Sequence, residues 1–229
     1  MNISQNISRI REKIDEAAEV SGRKGSDIIL VAATKTQDAD SVRQAIAGGV
    51  DACGENRVQE LTEKQLERAY DGAPVHFIGH LQKNKLRKVV GIVDLIESVD
   101  SPELLKALSK RACDLNLVQD ILIEVNIGDD PSKYGLPAGE LENFLNLCEE
   151  CGGVRVRGLM TILPVLLNSA QNRRFFAEMH KIFVDIRAKT YNNVSMDYLS
   201  MGMSGDYYDA ILEGANMVRI GSAIFGSRN

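Results

Sequence analysis

Lys35 closes the apolar run Ile28-Ile29-Leu30-Val31-Ala32-Ala33, one residue beyond Thr34. A lysine just past a buried strand can do imine chemistry, because partial desolvation lowers its pKa and frees a neutral amine. It can equally be an ordinary lysine whose stem snorkels to solvent. Arg219 sits inside the apolar segment Met217-Val218-Arg219-Ile220, where a charge is costly unless it is paired. Its partner is either a barrel carboxylate such as Glu97 or Glu124, or a ligand. Gly221-Ser222 follows at once, and small residues at a helix start let backbone N–H groups approach a phosphate. Ser200 and Ser204 could add hydroxyl donors, although turns use the same residue types. His80 is a ligand-site group or a satisfied structural histidine, whereas His76 and His180 read as unremarkable, one at a strand start and one on a helix surface. Cys148 and Cys151 form a lone CxxC at the end of a helical pattern, just before Gly152-Gly153. No second CxxC or close His pair completes a metal site, and a redox motif is expected at a helix start, so the pair reads as a coincidence of spacing.

Positioning such residues takes a regular frame, and the chain supplies one. Short Val- and Ile-rich runs at Ile28–Ala33, Val50–Gly54, Val75–Gly79, Leu95–Val99, Ile121–Val125, Val154–Met160, Tyr198–Met201 and Met217–Ile220 are each too short for a helix. Helical spacings lie between them. Ile7, Ile10, Ile14 and Ala17 share one face ahead of the first run. Ser101-Pro102-Glu103 reads as a capped helix start, and Phe175, Met179, Ile182 and Ile186 mark the longest helix. Strand–helix alternation demands parallel strands, since each helix carries the chain back across the sheet. Eight units predict an α/β fold, a single (β/α)8 TIM-type barrel over residues 1–229 with an additional N-terminal helix. That helix covers part of the gap left by a short last helix. In such a barrel ligands bind at the C-terminal ends of the strands, where Lys35, Asn56, His80, Ser200 to Ser204 and Arg219 to Ser222 all fall. The cluster Lys83, Lys85, Arg87 and Lys88 reads as a solvated helix face.

Composition narrows the function classes. A formal net charge of −5 argues against general nucleic-acid binding, which needs cations to neutralise phosphates. Aromatic residues make up only 5% and Trp is absent, so base-stacking platforms are not expected. No apolar run spans a bilayer and the N-terminus lacks a secretory core, which predicts a cytoplasmic protein with reduced thiols.

The rim segments resemble a known family. Val31-Ala32-Ala33-Thr34-Lys35, Gly54-Glu55-Asn56-Arg57-Val58-Gln59-Glu60 and His76-Phe77-Ile78-Gly79-His80-Leu81-Gln82-Lys83-Asn84-Lys85 are followed in order by Gly158-Leu159-Met160-Thr161, Leu199-Ser200-Met201-Gly202-Met203-Ser204 and Met217-Val218-Arg219-Ile220-Gly221-Ser222-Ala223-Ile224-Phe225-Gly226. Together these are similar to the YggS/PROSC family of pyridoxal-phosphate-binding proteins, related in fold to the barrel domain of alanine racemase. The resemblance implies pyridoxal 5'-phosphate as cofactor and a role in its intracellular homeostasis. Lys35 would be the Schiff-base lysine. Ser200, Met201, Gly221 and Ser222 would surround the phosphate with Ser204 nearby, Arg219 would face the pyridine nitrogen, and Asn56 and His80 would line the site. Asp129–Gly135 and Pro164-Val165-Leu166-Leu167 depart from what the family leads one to expect after the fifth and sixth strands.

A protonated arginine has no acceptor for a ring N–H and must donate to the pyridine nitrogen, which would therefore be unprotonated and make the ring a poorer electron sink. Racemisation would also need acid/base groups on both faces of a substrate. The expected role is therefore a cofactor carrier without robust turnover, a monomer or weak dimer with pyridoxal-phosphate-dependent apoenzymes as recipients. A weak amino-acid racemase is the alternative, and a Schiff-base aldolase acting on a sugar phosphate is a third reading that leaves Arg219 without a role.

Overall fold

A computed structural model describes residues 2–164 and 168–226. The helix α1 (Ile3–Val20) precedes strand β1 (Ile29–Ala33), and the chain then alternates. The order is α2 (Ala39–Ala47), β2 (Ala52–Glu55), α3 (Val58–Leu66), β3 (Val75–Phe77), β4 (Leu95–Val99), α4 (Pro102–Asp114), β5 (Gln119–Asn126), the two-residue β6 (Leu136–Pro137) and α5 (Leu141–Glu149). There follow β7 (Val154–Met160), α6 (Ser169–Arg187), β8 (Val194–Ser200), α7 (Tyr207–Leu212), β9 (Met217–Ile220) and α8 (Ser222–Phe225). Every strand pairing is parallel; β1 bonds both β2 and β9, while β4 bonds β5, so eight strands close into a barrel and β6 lies beside β5.

Period-two alternation divides each strand between two cores. Val31, Ala52, Leu95, Leu122, Met160 and Met217 meet inside the barrel as an apolar floor. Leu30, Ala32, Cys53, Phe77, Ile96, Ile123 and Leu199 face the helices in the larger outer core. The same alternation turns Ala33 and then Lys35 toward the mouth, and places Glu97, Glu124 and Arg219 two residues above the floor. Polar side chains thus form the barrel's upper storey because each stands two positions beyond an apolar one.

The eight-stranded frame agrees with the sequence pattern, with local differences. The strand expected at Tyr198–Met201 begins at Val194, hidden by the polar alternates Ser195 and Asp197. The Lys83–Lys88 cluster is a 3-10 turn, not an α-helix face, and only Leu86 in it is buried. The inward stripe of α6 is Phe176, Met179, Phe183 and Ile186, so Phe175 and Ile182 sit at its edge. Ser101 stands at the N-cap of α4 as expected, yet its hydroxyl bonds Asp100 (3.2 Å) instead of the helix N–H groups. Helix α1 buries Ile7, Ile10, Ile14, Ala17 and Ala18, and its Asn6 side chain donates to the Ile224 carbonyl (2.8 Å). That contact lets α1 complete the helical layer beside the four-residue α8. Among the described residues no helix is long and apolar enough to cross a membrane.

Candidate functional site

Two clefts open at the C-terminal rim. The first, about 600 Å³, is lined by Lys35, Thr36 and Gln37 after β1, by Met203, Ser204 and Gly205 after β8, and by Arg219, Gly221, Ser222, Phe225 and Gly226 at β9 and α8. Lys35 and Arg219 are the only charged side chains among its described lining residues. Gly202 shapes this wall: its φ is +94° and a Cβ there would lie 2.6 Å from the Ala210 Cβ, so only glycine lets the loop turn back over α7. Ser204 reaches across to the next loop, its hydroxyl oxygen accepting from the N–H groups of Gly221 (3.3 Å) and Ala223 (3.2 Å). The expected phosphate loops are therefore joined: the Gly221 and Ala223 N–H groups are bonded to Ser204, and the Ser204 and Ser222 hydroxyls stand at the start of α8.

The second cleft, about 590 Å³, holds Asn56 and His80 with Arg57, Gln82, Lys85 and Lys88. Close backbone contact puts Asn56 and His80 together, since a Cβ on Gly79 would fall 2.3 Å from the Asn56 carbonyl oxygen. The Asn56 Oδ1 is buried and accepts no hydrogen bond among the described residues, an open valence that suits a ligand hydroxyl or N–H. His80 lies 3.4 Å from Asp100 and stacks on Tyr134, with ring centroids 3.8 Å apart and an interplanar angle of 11°. Tyr134 belongs to the Asp129–Gly135 segment, so the unexpected stretch after the fifth strand covers His80. Pro164 packs against Gly128, while Val165, Leu166 and Leu167 lie outside the described residues.

Ser200 and Met201 line neither cleft. Ser200 is wholly buried, and its hydroxyl donates to Glu97 Oε2 (2.6 Å) while accepting from Arg219. Met201 is a core side chain, and its N–H is bonded to the Met217 carbonyl (3.1 Å). Of the residues that the resemblance sets around a phosphate, Ser204, Gly221 and Ser222 line the Lys35 cleft.

Arg219 lies both beside a barrel carboxylate and at the cleft. It lines the Lys35 cleft, donates to Ser200 and to the Thr161 carbonyl (2.8 Å), and stands 3.8 Å from Glu97. Burial lowers its pKa, against the attraction of Glu97, Glu124 and Asp206. His76, read from sequence as unremarkable, is buried and places Nδ1 2.7 Å from Glu97 Oε1. Burial pushes Glu97 up, but His76, Arg219 and Ser200 outweigh it and hold the carboxyl below its ordinary value. An anionic Glu97 makes the His76 Nδ1 the donor. Glu124 differs: burial and the nearby Asp100 push it up to about 7 against the pull of Arg219.

A second buried network escaped the sequence reading entirely. Outside the barrel wall, Glu55 Oε1 accepts from Lys64 Nζ (2.6 Å), Tyr70 Oη (3.0 Å) and the Thr34 hydroxyl. The available signal was Glu55 itself, a carboxylate ending the fully buried strand Ala52-Cys53-Gly54-Glu55. Cys148 and Cys151 are free and buried, and burial pushes the Cys148 thiol up to about 12. Among the described residues no group of three or more His, Cys, Asp or Glu side chains could hold a metal.

Known proteins share this architecture. The chain matches the family of the alanine racemase N-terminal domain over residues 3–229. It is 39% identical over 228 residues to the pyridoxal phosphate homeostasis protein of Aquifex aeolicus, covering 100% of this chain and 99% of that one. It is 35% identical to the Escherichia coli K12 protein of the same name, covering 100% of this chain and 97% of the relative. The structure of PipY from Synechococcus elongatus PCC7942 with PLP bound superposes with a TM-score of 0.86 at 31% identity, over 98% of this chain and 100% of that one. A D-threonine aldolase from Filomicrobium marinum shares the fold at 14% identity and a TM-score of 0.75, over 97% of this chain and 60% of its own. By sequence and by fold, the chain belongs to the pyridoxal phosphate homeostasis proteins within the alanine racemase N-terminal-domain family.

Proposed function

We propose that this protein holds pyridoxal 5'-phosphate on Lys35 and serves its homeostasis in the cell, as a carrier more than as a catalyst. The observation that carries the reading is that Lys35 and Arg219 share one cleft with the joined Ser204–Gly221–Ser222 loops. When bound, pyridoxal phosphate supplies an aldehyde that a neutral amine takes up with loss of water, and Lys35 is that amine. Ser204 and Ser222 offer hydroxyl donors to the phosphate, and Gly221, which has no side chain, lets it approach the start of α8. Arg219 presents a permanent donor to the pyridine nitrogen. Asn56 supplies an unmet acceptor, and His80 flanks it. With Arg219 at the ring nitrogen and no carboxylate among the described residues lining that cleft, the side chains favour retention of the cofactor over proton exchange on an amino acid. Apoenzymes that need the cofactor would receive it, with the chain working as a monomer or weak dimer in the cytoplasm.

Borohydride reduction of the protein after incubation with pyridoxal phosphate, followed by peptide mapping, tests this directly. A pyridoxyl group on Lys35, absent in Lys35→Ala while that variant stays folded, is the expected result. A reduced adduct on another lysine, or none, overturns the assignment.

A further inference from the structure

The cofactor reading leaves unexplained why helix α3 turns two buried or half-buried charges toward the β1 rim. Lys64 Nζ donates to the Thr34 carbonyl (2.6 Å), and Glu60 Oε2 accepts from the Thr36 N–H (2.6 Å). Those two peptide groups flank Lys35. Glu60 and Lys64 stand one helical turn apart on one face, 3.8 Å from each other, and Lys64 is anchored in turn by Glu55. Their side chains are 18% and 7% exposed, so solvent screens neither contact fully.

The residue gripped by Glu60 is strained. Thr36 has φ +64°, the left-handed region that a β-branched residue rarely adopts. Without a partner for its N–H, Thr36 would relax toward negative φ and swing the segment that carries Lys35. The charge-assisted bond to Glu60 opposes that relaxation, while the Lys64 bond fixes the carbonyl on the other side.

Given that Lys35 is the attachment site, we propose that Glu60 and Lys64 form a two-point clamp on its flanking peptides and are positioning residues for cofactor attachment. Neither side chain lines the Lys35 cleft. They act through the backbone of Thr34 and Thr36, setting the direction from which the Lys35 amine meets the cofactor.

Glu60→Ala is the test, because Lys64→Met would strand Glu55 and could fail to fold. The expected result has three parts: cofactor affinity falls about tenfold, the size of one lost charge-assisted hydrogen bond; the circular dichroism induced in the cofactor's visible band weakens; and in the cofactor-free protein amide exchange accelerates at Lys35–Gln37 but not across the barrel strands. Glu60→Gln, which keeps an acceptor, restores part of each signal. Adding Thr36→Asn to Glu60→Ala restores more, since asparagine enters the left-handed region at lower cost. Wild-type affinity, dichroism and exchange in Glu60→Ala overturn the clamp, as does a double variant no better than Glu60→Ala. Wild-type protein that borohydride does not label on Lys35 overturns the attachment reading and the clamp with it. Labelling on Lys35 with an indifferent Glu60→Ala overturns the clamp alone.

Discussion

Two buried charge networks lie on opposite sides of the barrel wall, and they are built differently. Outside, Lys64 meets Glu55 at 2.6 Å in a tight pair, with Tyr70 and the Thr34 hydroxyl filling the same carboxylate oxygen. Inside, Arg219 keeps 3.8 Å from Glu97, whose oxygens are already taken by His76 (2.7 Å) and Ser200 (2.6 Å). The outer cation is spent on its carboxylate and on a backbone carbonyl. The inner cation is held by Ser200 and Thr161, neutral groups, and keeps its charge for whatever enters the cleft. The tight network bonds the backbone at Thr34, and the loose one borders the Lys35 cleft.

The largest effect expected from this contrast is in the outer pair. Lys64→Met leaves Glu55 as an uncompensated charge behind β2, where Glu55 Oε2 already lacks a partner. Breaking a buried pair in this way costs about 3–5 kcal/mol, which urea denaturation would measure. Glu55→Gln in the same chain should recover much of that loss, because the stranded charge goes with it. If Lys64→Met costs less than about 1 kcal/mol, solvent reaches this pair and the claim that it is sealed fails.

The inner network should instead reveal itself through pH. Glu124 ordinarily titrates near 4.5 but is raised to about 7 by burial and by Asp100. A carboxyl raised on folding holds its proton in the folded state while the unfolded chain has released it. Its contribution therefore makes stability fall as pH rises from about 4.5 to 7, by about 1.4 kcal/mol per unit, and then level off. Glu124→Gln removes that slope. The variant should match wild type near pH 4 and exceed it by up to about 3 kcal/mol at pH 8. Equal denaturation curves at pH 8 would show that Arg219 fully compensates Glu124, which would make the inner network as closed as the outer one.

What the sequence could and could not disclose follows the same division. Lys35 and Arg219 were legible because each interrupts or ends an apolar run whose period-two alternation aims it inward. The rim loops were legible because small residues follow strands at the expected places. Glu60 and Lys64 were not, since two opposite charges one turn apart look like any solvated helix face, and nothing local says that α3 turns them inward. His76 was lost for a related reason: β3 is three residues long, too short for alternation to show which way its middle residue points. The covering contact of Tyr134 on His80 was equally hidden, because it depends on where a loop with no periodicity comes to rest.

His76 supplies the smallest and sharpest probe. It is the first of the partners that hold Glu97 down, ahead of Arg219 and Ser200. A carboxyl depressed on folding contributes stability above its unfolded pKa, and that contribution is lost as pH falls through the folded value. His76→Leu removes one of the short contacts to the Glu97 carboxylate and should cost about 1–3 kcal/mol at neutral pH. It should also flatten the acid limb, so that wild type and variant converge as pH falls through the depressed Glu97 range. Arg219 would then face a less occupied carboxylate and be drawn toward it, away from the cleft, weakening cofactor binding by less than the loss of Arg219 itself. An acid limb that runs parallel to wild type would mean that Arg219 and Ser200 suffice to hold Glu97, and that the inner network is at heart a two-charge pair like its outer counterpart.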